Sequence, residues 1–195
     1  MIKNYEVHEI SHRMAKNFIE KYHYAGGTSV TSSLRFGLFD RTNLIGTCLW
    51  MTSTYGTAKL YDQNNISKVL TLSRFVLSPG NVKNTCSYFL GSCIRKIKKK
   101  NIYTYLVTYA DTSQGHIGTI YRATNWIYHG LTEPHYAWID TEGKLVSKKS
   151  TINRTNAYMD KNYTRVGPYR KHRFYLKLNP KNKNKQLNLF PTVKN

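Results

Sequence analysis

Apolar residues along the first half of the chain recur at two periods. Residues 4–10 (NYEVHEI) alternate, as a half-buried strand does. Ser11 is a suitable N-cap for the stretch that follows, in which Met14, Phe18, Ile19 and Tyr22 fall at helical spacing. Gly26-Gly27 is expected to end that helix. LRFGLFD (34–40) and NLIGTCLWM (43–51) read as a hairpin turning at Arg41-Thr42. Residues 52–67 are polar and without period, which predicts a surface loop. VLTLSRFVLS (69–78) is a strong strand closed by Pro79-Gly80. NTCSYFLGSCIRKIKKK (84–100) is an amphipathic helix with a basic end that complements its dipole. YTYLVTYAD (103–111) has the composition of a buried strand, and GHIGTIYRATN (115–125) that of a short helix. WIYHG (126–130) and HYAWID (135–140) follow as strands, with a turn at 141–143, a long polar stretch and a last strand KHRFYLKL (171–178).

This order, β-α-β-β-β-α-β-α-β-β, predicts an α/β (α+β) sandwich of helices around one central sheet. Residues 1–178 are expected to form a single domain, and the Lys/Asn-rich residues 179–195 a flexible basic tail.

Charge changes the picture more than size does. The 30 Lys and Arg outnumber 10 Asp and Glu, a formal net charge of +20. Such an excess attracts polyanions, and nucleic acid is the leading class. A lysine-rich, AT-biased composition explains part of it. The three cysteines (Cys48, Cys86, Cys93) form no CxxC pair, which argues against a disulfide framework or a cysteine zinc site and fits a reducing compartment. Cys86 and Cys93, seven residues apart, are expected to pack on one helix face. No apolar signal core or membrane-length run is present, so the expected location is the cytoplasm.

Four segments can carry chemistry. In the strand-to-helix junction 72–91, free backbone amides at the helix start can hold phosphate, with Lys83 adjacent and Asn84 or Thr85 as a cap. In 109–126, Asp111 ends a hydrophobic strand and is followed by Ser113, Gln114, His116 and, on the next helix, Tyr121. Asp111 there is a candidate base or amine-orienting group and His116 a proton shuttle or metal ligand; equally, Asp111 can be a helix cap and His116 an ordinary surface residue. YHYAGG (22–27) is either a helix C-cap or an active-site loop. In 163–178, Arg165, Arg170, Lys171, His172 and Arg173 interleave with aromatic rings, as in nucleic-acid contacts or a merely basic strand face.

Together these phrases resemble a GNAT acyltransferase, and more closely the Mom family of phage-borne, GNAT-like DNA-adenine modification proteins. The resemblance runs over roughly residues 22–130. It rests on His23-Tyr24-Ala25-Gly26, on FGLFDRTNLIGTCLW, on Leu72-Ser73-Arg74 with Asn84, Ser87 and Phe89-Leu90-Gly91, and on Tyr109-Ala110-Asp111-Thr112 with Gly118-Thr119-Ile120-Tyr121. The last third is similar only in its KHRFY phrase. The usual GNAT loop Q/R-x-x-G-x-G/A is absent, Lys83 stands where the Mom phrase tends to have Arg, and Trp126 replaces Phe.

The resemblance implies a GNAT-like fold with a mixed, mostly antiparallel sheet. It also implies that acetyl-CoA sits on Phe75, Val76 and Leu77 and on the loop of Gly80, Asn81, Val82, Lys83, Asn84, Thr85 and Cys86. Catalytic roles fall by the same resemblance on Asp111, Tyr121, His116, Tyr24 and Ser113. DNA contacts fall on Arg74, Arg122, Arg165, Arg170, Lys171, His172 and Arg173. The implied reaction adds an acyl-CoA-derived, carbamoylmethyl (acetamido) group to adenine N6 in double-stranded DNA, with the base flipped out, which protects phage or mobile-element DNA from restriction in the bacterial host. Iron is associated with the family, and His23, Asp111 and His116 are the candidate ligands. The sequence leaves the oligomeric state open, a homodimer included. The competing classes are an ordinary GNAT N-acetyltransferase acting on a protein or small-molecule amine, and a non-enzymatic DNA-binding protein on the same scaffold.

Overall fold

The computed structural model describes residues 4–24, 32–146, 151–153 and 155–178. Strand β1 (Tyr5–Glu9) leads into helix α1 (His12–Tyr22), whose start is fixed by the Ser11 hydroxyl accepting from the Met14 amide at 3.2 Å. The hairpin β2 (Leu34–Asp40) and β3 (Asn43–Thr52) turns at Arg41, which takes a positive φ of 54°. Then come α2 (Tyr55–Lys59), β4 (Val69–Leu77), α3 (Thr85–Lys100), β5 (Tyr105–Asp111), α4 (Thr119–Arg122) and β6 (Ile127–Leu131). The last part holds β7 (His135–Ile139), β8 (Leu145–Val146), α5 (Asn156–Asn162), β9 (Thr164–Tyr169) and β10 (Lys171–Lys177).

Seven strands form the main sheet in the order β1-β2-β3-β4-β5-β10-β6, and β8-β7-β9 form a small second sheet. Every neighbour pair is antiparallel except β4 with β5. The sheet is thus mixed and mostly antiparallel, flanked by helices, as expected.

Strand alternation divides the core between the two faces. Cys48, Trp50, Leu72 and Leu106 bury against Phe89, Leu90, Cys93 and Ile97 of α3. Leu49, between Cys48 and Trp50, turns the other way and packs with Ala15 and Ile19 of α1. Val107 likewise meets Ala58 of α2 together with Val69.

Several elements differ from their sequence reading. Residues 52–67 are not all loop: they contain α2 and a 3-10 turn at Ile66–Lys68, because fully buried Ala58 seals Val69 and Val107. One buried residue in a polar segment is too little periodicity to read. The helix expected over 115–125 shrinks to α4, since Gly115 and Gly118 take positive φ of 67° and 80° and break it. The polar stretch after 146 holds α5 and β9. There the Thr155 hydroxyl accepts from the Tyr158 amide, Met159 is buried, and the Trp138 indole donates to Asp160 at 2.8 Å. Cys86 and Cys93 do not share an environment: Cys93 is buried, whereas Cys86 is exposed in the first turn of α3. Gly26-Gly27 and the 179–195 tail lie outside the described residues, and α1 itself ends at Tyr22 with the His23 amide bonded to the Ile19 carbonyl. Among the described residues no helix is long and apolar enough to cross a membrane.

Phe89, fully buried under the sheet and 5.4 Å ring to ring from Phe75, anchors α3. Phe89→Ala is expected to cost about 3–5 kcal/mol, measured as a lowered denaturation midpoint in urea.

Candidate active site

The site begins where pairing stops. β4 and β5 form three parallel rungs, Val69↔Tyr105, Leu70↔Leu106 and Thr71↔Val107. Beyond these, β4 stays with β3 as far as Leu77, opposite Gly46, while β5 stays with β10 as far as Asp111, opposite Lys171. The two strand ends diverge, and a cavity of about 610 Å³ fills the wedge, walled by Leu72–Leu77 and Tyr109–Asp111.

On the β4 side, the register with β3 shifts between Leu49↔Arg74 and Trp50↔Leu72, so Ser73 is an extra residue. A bulge of this kind re-aims the next side chain. The Ser73 hydroxyl donates to the Leu49 carbonyl at 3.1 Å, and Arg74 lines the cavity, where burial lowers its pKa. After β4 the chain turns through Gly80 (φ 82°), and Asn84 takes a left-handed φ of 68°. The Asn81 side chain donates to the Ser78 carbonyl and the Thr85 hydroxyl to the Val82 carbonyl at 2.7 Å. Asn84 makes no side-chain cap to α3, the Thr85 amide donates to the Val82 carbonyl at 3.2 Å, and Cys86 in the first turn lines the cavity.

On the β5 side, Asp111 Oδ1 accepts from the Ser113 amide at 3.0 Å and the Ser113 hydroxyl at 2.7 Å, and Oδ2 meets Lys171 Nζ at 2.9 Å. Burial pushes the Asp111 carboxyl up, but hydrogen bonds from Lys171 and Ser113 and the lysine charge outweigh it and hold the pKa below the ordinary value. The carboxylate is therefore a fixed anion that also caps the turn Thr112–Gln114. The third wall comes from the end of α1. His23 and Tyr24 stack with ring centroids 4.5 Å apart, and Tyr24 meets His116 edge-on at 5.9 Å. Burial, then Arg74 and His116, lower the His23 pKa to about 4. Burial and Asp111 raise the Tyr24 pKa. Tyr121, on α4, packs on Trp126 and Phe174, and burial pushes its pKa up to about 12. At neutral pH the cavity thus offers, among its lining groups, the neutral imidazole of His23, the protonated phenols of Tyr24 and Tyr121, the Asp111 carboxylate and the Arg74 guanidinium.

Residues 4–193 match the Mom protein family. The chain belongs to that family. Among solved structures it is similar to a spermidine N-acetyltransferase from Vibrio cholerae (TM-score 0.56, 9% identity, covering 94% of this chain and 99% of that one). It is also similar to the ribosomal-protein-S18-alanine N-acetyltransferase from Escherichia coli (TM-score 0.55, 11% identity, 92% and 97%) and to a GNAT-family acetyltransferase from Streptococcus pneumoniae (TM-score 0.55, 8% identity, 90% and 99%). No curated protein matches the sequence significantly. The chain is a Mom-family protein with the GNAT acyltransferase fold, as the sequence resemblance implied.

The family phrases converge on the cavity. The LSR phrase is the bulge that aims Arg74, His23-Tyr24 forms the α1 wall, and YADTSQ ends at the Asp111 turn. Ala25 and Gly26 of the first phrase lie outside the described residues. Of the expected donor-site residues, Phe75, Val76, Leu77 and Cys86 line the cavity, while Thr85 is buried and does not line it. The basic residues do not form one patch. Lys171 pairs with Asp111, and Arg173 lies over the Tyr109 ring at 5.9 Å. His172 faces the other way, 3.1 Å from the Tyr128 hydroxyl, and Arg122 sits over Tyr128 and Phe174. Arg165 is ion-paired with Asp160 and stacked on Tyr136, and exposed Arg170 follows β9 with its backbone tied to Thr112. Sequence reasoning gave no site role to Tyr109 and no hint of the Lys171–Asp111 pair, which only the β5–β10 register creates.

The donor set does not fit a metal. Among the described residues no three His, Cys, Asp or Glu side chains group closely enough to hold one.

Two titrations check this electrostatic layout. His23 favours its neutral form when folded, so its contribution is intact above pH 6.5 and is lost as pH falls towards about 4. His23→Gln is expected to flatten that part of the stability–pH curve, followed by denaturant melts at each pH. Asp111 stabilises the fold at neutral pH and loses that effect only in acid below 3.8, as pH falls through its depressed folded pKa. Lys171→Met is expected to move the carboxyl titration back upward, read by NMR.

Proposed function

We propose that the protein transfers an acyl group from acyl-CoA to the N6 amine of adenine in double-stranded DNA: the amine nitrogen bonds to the thioester carbonyl, the C–S bond breaks, and the proton the amine loses ends on the departing thiolate. The observation that carries this reading is the wedge between β4 and β5, with an uncapped helix start on one side and a polar, aromatic-walled corner on the other. The first suits a pyrophosphate-bearing donor: the amides of the α3 start are hydrogen-bond donors beside the positive end of the helix dipole, and Phe75, Val76 and Leu77 supply an extended wall. The thioester of such a donor supplies the activated group. The second suits a flat heterocycle bearing an amine, since Tyr24 and His23 offer ring faces and Asp111 a carboxylate acceptor.

In this reading Asp111 accepts an N–H of the adenine amine and orients it, using the lone pair that Lys171 and Ser113 leave free. Its depressed pKa suits orientation better than proton abstraction. Tyr121 keeps its proton at neutral pH and donates a hydrogen bond, to the thiolate as it leaves or to the group being transferred. Neutral His23 and Tyr24 pack on the base, with His116 at the rim, and Arg74 faces developing negative charge or a phosphate. The adenine amine is paired in duplex DNA, so the base must leave the stack to reach the wedge. The +20 net charge favours this polyanion and disfavours a polycation such as spermidine, the substrate named for one structural neighbour. Such an enzyme acts in the bacterial cytoplasm and protects phage or mobile-element DNA from restriction.

The test is mass analysis of nucleosides from DNA co-expressed with the protein. A modified deoxyadenosine is expected, reduced roughly a hundredfold or more by Asp111→Ala if the carboxylate orients the amine. An unmodified profile together with acyl-CoA turnover on proteins or small amines would replace this reading with an ordinary N-acetyltransferase.

A further inference from the structure

The loop between the Asp111 turn and α4 holds out one apolar side chain. Ile117 is 65% exposed although it borders the cavity. Single exposed aliphatic residues are common, so its setting has to carry the argument. Both ends of its loop are fastened. The Gly115 amide donates to the Thr112 carbonyl at 3.0 Å and the His116 amide to the Asp111 carbonyl at 3.1 Å. Gly118 accepts from the Tyr121 and Arg122 amides and is so close to Phe174 that a Cβ there would stand 2.3 Å from the ring. The left-handed glycines on either side lift His116 and Ile117 clear of the strand end. Exposed Arg170 has its backbone tied to Thr112 at the base of the same loop.

We infer that Ile117 is a wedge that enters the base stack of duplex DNA in the space the target adenine leaves. The inference rests on the proposed function and adds to it the residue that opens the duplex. A flipped base leaves a gap whose neighbours lose their stacking, and a stiff β-branched side chain fills such a gap as apolar wedges do in other DNA-kinking proteins. The positions agree: a base turned into the cavity passes Ile117 at the rim and meets Tyr24 and His23 inside.

The experiment compares full-length wild type and Ile117→Ala on two oligonucleotides, a matched duplex and the same duplex with an abasic site opposite the target adenine. The ratio of matched to unpaired modification is expected to fall roughly ten- to a hundredfold in Ile117→Ala, the range set by the cost of unstacking one base. Ile117→Leu is expected to keep most of it. Fluorescence of 2-aminopurine at the target position, which rises on unstacking, should fall in parallel. An unchanged ratio, from equal loss on both substrates or from no loss, overturns the wedge while leaving DNA modification standing. A wild type active only on the unpaired target overturns it too. A wild type that modifies neither overturns the DNA reading and the wedge with it.

Discussion

Three rungs of parallel pairing between β4 and β5 hold the main sheet together at its centre, and their brevity makes the site. Each strand has a longer antiparallel partner on its outer side, so each follows that partner when the sheet twists. The inner edges beyond Thr71 and Val107 then have backbone groups without a neighbouring strand. A pocket that results from two well-paired half-sheets parting has two of its walls fixed by strand pairing. It also exposes backbone donors and acceptors that an extended ligand can satisfy. The β-bulge at Ser73 sits just past the last rung, where a change of side-chain direction costs least and places Arg74 in the gap.

The charges of the pocket are held apart by different means. Asp111 stays ionised through contacts made by its own turn and by the neighbouring strand. His23 stays neutral because it is half-buried beside a guanidinium. Tyr121 stays protonated because an aromatic cluster surrounds it. At neutral pH the pocket therefore holds His23, Tyr121 and Asp111 in fixed protonation states. That is the preorganised electrostatic arrangement that group transfer requires.

Much of this was readable in the residues. Period-2 and helical patterns located the main strands and α1 and α3, because those elements bury one continuous face. The phrases around Ser73-Arg74, Asp111 and Tyr121 marked the site, since polar side chains at strand ends have little packing reason to be there. What escaped detection depended on distant partners. α2 forms on a single buried alanine, and α5 with β9 folds around Met159 and the Trp138–Asp160 bond in a segment whose strand pattern is mostly exposed. The breaking of the 115–125 helix was visible only as two glycines, and the need for Gly118 comes from Phe174, 56 positions later in the chain. The loop after β4 lacks the usual GNAT glycines, and Asn84 instead adopts the left-handed conformation at its end.

The pairing of Lys171 with Asp111 depends on the register of the last strand. Between β6 and β10 the backbone leaves the main sheet to build β7, β8, α5 and β9, then returns to fill the gap between β5 and β6. A returning strand can insert one residue early or late, and each slip turns every side chain to the opposite face. In the correct alignment a lysine meets the half-buried carboxylate, and Phe174 reaches the α3 side of the sheet. After a slip by one residue, Arg170 or His172 would occupy the position opposite Asp111, and Phe174 would lie on the wrong face. The register of the last strand is therefore set by Phe174, which only this alignment turns to the α3 side, and the Lys171–Asp111 pair at the mouth of the pocket forms as its result.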